Sequence, residues 1–266
     1  MLEANRLEAF FKALSDQARA AQARERHALD AFLSHYQYRK KLWEKYKRET
    51  DYVIASDFNV FSVLSRMHDE NAISATIAEL LRPSGAHGQQ ETFLRLFLEH
   101  LRHYVGRAYP DHDLLHANLS LDAFDKFHVK TEHVTDTGRR IDLWIETDTK
   151  FIIAIENKIF AQDQQNQLHD YWRYLETLKR DFVLVYLTLD GKDPSKESLP
   201  NNLAQEVIGK RIILLSHADF VASWLKDCVT ECKAMRVRFF LEDMLDSLNQ
   251  SCRTGEVVNG HDAFFN

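Results

Sequence analysis

The stretch RRIDLWIETDTKFIIAIENKI, residues 139–159, decides how this chain folds. Two runs of strand period flank Asp148 and Thr149, and Ile152, Ile153, Ala154 and Ile155 form a continuous apolar run, the mark of a strand covered on both faces. Asp142, Glu156 and Lys158 interrupt these runs with charge, which is costly inside a sheet unless something pairs with it. Side chains alternate along a strand, so Glu156 and Lys158 share one face about 7 Å apart, while Ile155 and Asn157 take the other. A hairpin turning near residue 148 sets residues 142 and 156 close to opposite each other, and their carboxylates can converge.

Two carboxylates with overlapping reach repel each other. A divalent cation resolves this, and Mg²⁺ takes one or two carboxylates while leaving its other positions to water and phosphate. Lys158 stands where it can contact that phosphate or an attacking water, and water on the ion is more acidic. The constellation suits phosphodiester hydrolysis.

The rest of the chain supplies a frame for this site. With 266 residues and 45% apolar composition it can bury a substantial core. No apolar run approaches the roughly 20 residues needed to span a bilayer, and MLEANRLEAFFKAL carries no signal-like stretch, so the expected location is the cytoplasm. Cys228 and Cys232 lie one helical turn apart in an apolar-patterned segment without a matching second pair, and are read as buried thiols. A formal charge of −6 argues against coating nucleic acid by bulk attraction, yet permits a local basic groove.

Neither Pro nor Gly occurs before Pro83, which favours long helices. Apolar residues recur at helical spacing from Leu7 to Tyr46, predicting one or two amphipathic helices over residues 2–48 whose stripe needs a partner, in this chain or a second copy. Within them, YQYRKKLWEKYKR (36–48) mixes six basic residues with Tyr36, Tyr38, Trp43 and Tyr46. That mixture fits either a solvated helix face or phosphate contact with base stacking. Further helices are expected around Ile73–Leu81, at about 91–105, 162–180 and 217–250, with strands at HVKTEHV, RRIDLWIE, FIIAIENKI, DFVLVYLTL and RIILLS. The order helix, three strands, helix, strand predicts an α/β layered fold with three parts: a helical extension (1–50), the main domain (51–250) and a C-terminal tail (251–266).

Asp142 with Glu156, Asn157 and Lys158 resembles the signature of the PD-(D/E)XK nuclease superfamily, with Ile141 where the family usually has Pro. The resemblance implies a restriction-endonuclease-like αβββαβ core with a mixed sheet flanked by helices. It implies Asp142 and Glu156 as ligands of Mg²⁺ or Mn²⁺, a further ligand from the Asn157 carbonyl, and Lys158 generating or orienting the nucleophile. Gln164, Gln167 and Tyr171 sit at helical offsets of three and seven, and Gln167 with Tyr171 resembles the Q-x-x-x-Y element of exonuclease-like branches. There the Gln and Tyr approach the substrate or the active site. Glu70 shares the stripe of Ile73 and Ile77, and matches the acid that the superfamily often supplies from the helix before its sheet. ENAISATIAELLRPSGAHG resembles the opening of a mostly uncharacterised bacterial subfamily.

Together these matches cover roughly residues 57–190. They imply a metal-dependent nuclease acting on nucleic acid, DNA rather than RNA, in a setting such as defence against foreign DNA; the N-terminal helices by themselves suggest self-association or a partner. The alternative is a catalytically inactive binding module of the same fold. Two rival motifs are weaker. Arg95 and His100 match the R-x4-H spacing of HEPN-type ribonucleases but lack the usual polar residue after the arginine, and His100 with His103 lack a third metal ligand. His68, His87 and His133 carry no signal beyond that of satisfied polar residues.

Overall fold

The computed structural model describes residues 2–55, 58–66, 69–112, 115, 127–147 and 151–261. With no breaker to stop it, the N-terminal segment forms a single helix, α1 (Leu2–Ile54), of 53 residues, about 80 Å long at 1.5 Å per residue. Leu29, Phe32, Leu33, Tyr36 and Trp43 along it are exposed. The chain divides into two compact units, Met1–Phe58 and Asn59–Asn266.

In the second unit, α2 (Val60–Leu64) starts at Asn59, whose side chain accepts hydrogen bonds from the backbone of Phe61 and Ser62. The next helix, α3 (Glu70–Leu81), is capped by Asp69, which accepts from Ala72 N at 3.0 Å. It ends at Arg82, held extended by the following Pro83. Helix α4 (Thr92–Ala108) presents Leu94, Phe97, Leu98, Leu101 and Val105 to the core, as their spacing predicts. The strands follow: β1 (His128–Val134), β2 (Arg140–Glu146) and β3 (Ile152–Lys158). After α5 (Gln167–Thr177) come β4 (Phe182–Thr188), α6 (Asn201–Val207) and β5 (Ile212–Ser216). A π-helical turn (His217–Val221) leads into α7 (Ala222–Glu231) and α8 (Met235–His261).

The sheet order is β1-β2-β3-β4-β5. The first three strands pair antiparallel and the last three parallel, so β3 lies at the centre and is buried at all seven positions. Residues of alternate parity build two cores. Leu143, Ile153, Ile155, Val185 and Ile213 pack under α3, α4, α7 and α8. Trp144, Ile152, Ala154, Leu184 and Tyr186 pack with Leu168 and Leu175 of α5 and Val207 of α6. The architecture is therefore an α/β layered fold, as the element order predicts, with the mixed sheet flanked by helices that the resemblance implies.

Three boundaries differ from expectation. Helix α5 begins at Gln167 instead of about 162, because Asn166 adopts a left-handed conformation (φ +57°) that breaks the run, and Gln164 precedes the helix. The segment 217–250 is divided by the π-helical turn and by a break at Cys232, after which α8 begins at Met235. The α8 helix runs to His261, so residues 251–261, expected as tail, continue it. Leu241, Met244 and Leu248 are the buried side of α8 and anchor it to the core. The turn near residue 148 and His68 lie outside the described residues.

Candidate active site

The β2/β3 ladder runs from Glu146↔Ile152 to Leu143↔Ile155, the register that a turn about residue 149 requires. Its next rung brings Asp142 to Glu156. There the backbone pairing stops, and the Asp142 carboxylate itself accepts from Asn157 N at 2.7 Å. Alternation also breaks at this point, since Ile141 and Trp144 join one core while Leu143 joins the other. On the far side, Glu132 is passed over in the β1/β2 register and has φ +55°, a conformation costing a non-glycine residue about 1–2 kcal/mol. A local irregularity thus lies at Asp142, where three strands meet.

Around it opens a cleft of about 480 Å³ lined by Glu70, Glu132, Asp142, Glu156, Lys158, Gln164, Gln167 and Tyr171, with Arg139 and Arg140 at its side. Glu70, Asp142, Glu156, Lys158, Gln164, Gln167 and Tyr171, the catalytic, metal-binding and substrate-binding candidates implied by the resemblance, all line this cleft. Lys158 Nζ is 3.2 Å from Glu156 Oε1 and 4.0 Å from Glu70 Oε2. Glu156 Oε1 also accepts from Gln167 Nε2 at 2.5 Å, while Glu156 Oε2 is buried with no hydrogen-bond partner. Gln167 Oε1 accepts from Gln164 N at 3.2 Å. Tyr171 donates its hydroxyl proton to the Arg140 carbonyl at 2.5 Å. Arg139 holds the loop before α5 through the Gln165 carbonyl (2.7 Å), Gln164 Oε1 (3.2 Å) and Asp170 (2.8 Å).

Glu70 has two contrasting oxygens. Oε1 accepts three backbone N–H groups, from Ile159 (2.7 Å), Phe160 (3.2 Å) and Ala161 (3.0 Å), and so fixes the turn leaving β3. Oε2 lies on the Lys158 side. Its helix is held against β3 by Asn157, whose Nδ2 donates to Ser74 Oγ at 2.9 Å and to the Glu70 carbonyl at 3.4 Å. Asn157 Oδ1 meets His217 Nε2 at 2.6 Å, and burial pushes the His217 imidazole down to about 3, so the ring is neutral and donates from Nε2. This buried polar network ties α3, β3 and the π-helical turn together beneath the cleft. Replacing Asn157 with Ala strands Ser74, the Glu70 carbonyl and His217, and should cost about 2–4 kcal/mol. Urea denaturation reads the loss; an unchanged midpoint would show that the network carries no stability.

The electrostatics follow from crowding of acids. Burial pushes the Asp142 carboxyl up to about 6; the Asn157 N–H and Lys158 oppose the rise, and Glu132 and Glu70 add to it. Glu156 stands well above the usual carboxylate range, first through burial and then through the charge of Asp142, with Lys158 opposing. Burial pulls Lys158 down, but Glu156, Glu70 and Asp142 outweigh it and hold the ammonium above its ordinary value.

Among the described residues, no three His, Cys, Asp or Glu side chains form a ready metal cluster. The Lys158 ammonium provides the compensating charge. The donor set still fits a hard cation, since Glu156 Oε2 is unpartnered and the acids raise one another's proton affinity.

A family model described as the PD-(D/E)XK nuclease superfamily matches residues 58–243. The chain belongs to this superfamily. Its mixed sheet flanked by helices is thus a restriction-endonuclease-like α/β fold, and membership points to a nuclease with a nucleic-acid substrate. PD-(D/E)XK nucleases generally use divalent metals. No curated protein and no solved structure matches the chain. No helix among the described residues is long and apolar enough to cross a membrane.

The residues of the rival motifs have partners of their own, in and around a separate cleft that His100 and His103 line. Arg95 pairs with Glu99 at 2.9 Å, and His100 Nε2 lies 2.8 Å from Asp227. His87 accepts from Gln89 N through Nδ1 and donates from Nε2 to the Arg82 carbonyl, and His133 stacks on Trp144 at 3.8 Å. Cys228 and Cys232 are buried, and burial pushes the Cys228 thiol up. Sequence reading missed Glu132, Asn157's partners Ser74 and His217, and Arg139. Only Glu132 left a trace, as an acid on the strand that neighbours Asp142.

Proposed function

We propose that this chain is a metal-dependent phosphodiesterase that cuts nucleic acid at the cleft between the ends of β2 and β3 and the start of α5. The observation that carries the reading is the gathering of Glu70, Asp142 and Glu156 in one cleft, with the Lys158 ammonium against Glu156 and within 4.0 Å of Glu70, and with one buried carboxylate oxygen unpartnered. Asp142 and Glu156, with Glu70 beside them, would hold Mg²⁺ or Mn²⁺, and the Asn157 carbonyl would add a further ligand. When bound, such an ion acidifies water and stabilises charge on the phosphate.

The chain's own groups then divide the work. Lys158 lies within reach of Glu156 and Glu70 and can orient a water and a phosphate oxygen once those acids are otherwise compensated. Gln167 clamps Glu156 Oε1, so the carboxylate keeps one orientation. Tyr171, Gln164 and the arginines beside them line the approach of the substrate strand. We take DNA as the preferred polymer and defence against foreign DNA, in a cytoplasmic setting, as the context that the bacterial subfamily resemblance favours.

Purified protein incubated with linear, circular and single-stranded DNA and with RNA, in Mg²⁺ or Mn²⁺ and in a chelator, tests the reading beside Glu156→Gln. Metal-dependent cleavage lost in the variant supports it. Cleavage in chelator overturns the metal assignment, and no cleavage of any polymer in either metal leaves a binding module.

Burial of the Asp142 carboxyl, to which its acidic neighbours add, also makes a stability prediction for metal-free protein. Below pH about 4 the Asp142 carboxyl is protonated in folded and unfolded chains alike. From there to about 6 the folded chain keeps a proton that the unfolded chain has released, so stability falls as pH rises and the full penalty stands above pH 6. The difference between 3.8 and about 6 corresponds to roughly 3 kcal/mol. Asp142→Asn keeps an acceptor for Asn157 N and should raise the melting temperature by about 6–10 °C at pH 8, and by little at pH 4. A gain equal at both pH values would refute the assignment.

A further inference from the structure

The charge of the chain is unevenly placed. Residues 36–48 of α1 hold Arg39, Lys40, Lys41, Lys45, Lys47 and Arg48 against a single acid, Glu44, in a protein whose formal net charge is −6. Four aromatic rings are interleaved with them, and Tyr36, Tyr38, Trp43 and Tyr46 are 57–68% exposed. On the helix they do not gather into one stripe. Tyr36, Lys40, Trp43 and Lys47 lie along one line, and Tyr38, Lys41 and Lys45 along another. The Lys47 ammonium lies over the Trp43 ring at 5.4 Å from its centroid, so cation and π-face are already combined.

Two occupants compete for such a surface. A second copy of α1 fits poorly by charge. Parallel pairing would set two basic segments side by side. Antiparallel pairing about the helix midpoint would set each against residues 8–20, where Glu8 and Asp16 are already balanced by Lys12 and Arg19. A polyanion with stackable faces fits both features at once, because lysines and arginines release counterions from phosphates while the rings take unpaired bases.

We propose that residues 36–48 of α1 form a binding arm for single-stranded nucleic acid. The inference builds on the nuclease reading, to which it adds a means of retaining substrate. The arm raises the local concentration of polymer at an enzyme on the same chain, so its loss should appear in KM on long substrates and leave kcat unchanged.

Binding is measured on the full chain in chelator, by fluorescence anisotropy with a labelled 20-nucleotide oligo(dT) and a 20-base-pair duplex. Lys40→Gln/Lys41→Gln/Lys45→Gln should weaken oligo(dT) binding by about ten-fold or more, and reduce the slope of log affinity against log salt by about 2. Trp43→Ala should weaken it by about 5-fold to 100-fold with the slope unchanged, the signature of stacking. Helicity by circular dichroism controls for folding, and glutamine keeps good helix propensity.

The proposal is overturned if the triple variant binds as the parent does. It is overturned equally if Trp43→Ala is silent, if the duplex binds as tightly as oligo(dT), or if the variants change only the sedimentation of the protein, which would give the surface to a second copy. These readouts need no metal and no cleavage, so the arm and the nuclease assignment can fail separately.

Discussion

Glu156→Gln should lower cleavage by roughly 10³-fold or more while leaving the protein folded. The carboxylate is 2% exposed, it is the acid that touches both Lys158 and Gln167, and its second oxygen is the one with no partner. Removing an ion's ligand forfeits several kcal/mol of charge stabilisation at the phosphate, and each 1.36 kcal/mol is tenfold in rate. Glutamine keeps the shape and an acceptor for Gln167 Nε2, and it ends the repulsion between Glu156 and Asp142 that burial magnifies. Metal-free variant should therefore melt no lower than the parent. A variant that retains a tenth of the parent's rate would remove Glu156 from the chemistry, whatever its effect on folding.

The second large effect is at Lys158. It is the one cation seen in contact with Glu156 among the described residues, and it lies within 4.0 Å of Glu70. Lys158→Ala leaves a buried carboxylate uncompensated, which costs about 3–5 kcal/mol, or about 10 °C in melting temperature, in the absence of metal. Because a cation then has no ammonium to displace, added Mn²⁺ should raise the melting temperature of this variant by more than it raises that of the parent. Cleavage should fall by about 10²–10⁴-fold, the usual span for losing a proton-handling or water-orienting group. Mn²⁺ affinity by calorimetry should change only a few-fold. Adding Glu156→Gln to Lys158→Ala should recover most of the stability and none of the activity. Equal losses of rate and metal affinity would instead make Lys158 an organiser of the ligand set.

These two predictions turn on the same arrangement, in which one ammonium compensates acids that a metal would otherwise satisfy. It also explains why the acids do not form a ready cation cluster. Asn157 and Glu70 give the arrangement its rigidity. Three backbone N–H groups on Glu70 Oε1 and the bonds of Asn157 to Ser74, His217 and the Glu70 carbonyl fix the end of β3 against α3.

Much of this was written locally. Strand period on both sides of residue 149 sets the hairpin register, because a slip of one residue would turn Ile153 and Ile155 out of their core. That register alone brings residue 142 to residue 156. The unbroken apolar run from Ile152 to Ile155 marks β3 as a strand covered on both faces of the sheet, since an open face would leave half of it in water. The absence of Pro and Gly before Pro83 likewise extends α1 through Ile54. Each of these features is a period or a missing breaker, and periods are properties of neighbours in sequence.

Tertiary structure decided the rest. Glu132 reaches the cleft through an irregular left-handed position that no period encodes. His217 meets Asn157 across 60 residues, once the β-α-β crossovers have closed, and Glu70 meets Ile159 across 89, once α3 has docked against the end of β3. Gln164 stays on the cleft although it lies outside α5, because Arg139 holds it there instead of the helix. Local spacing fixes which face a side chain takes, but which distant group meets it, and with what charge, depends on the packing of layers that the chain assembles only as a whole.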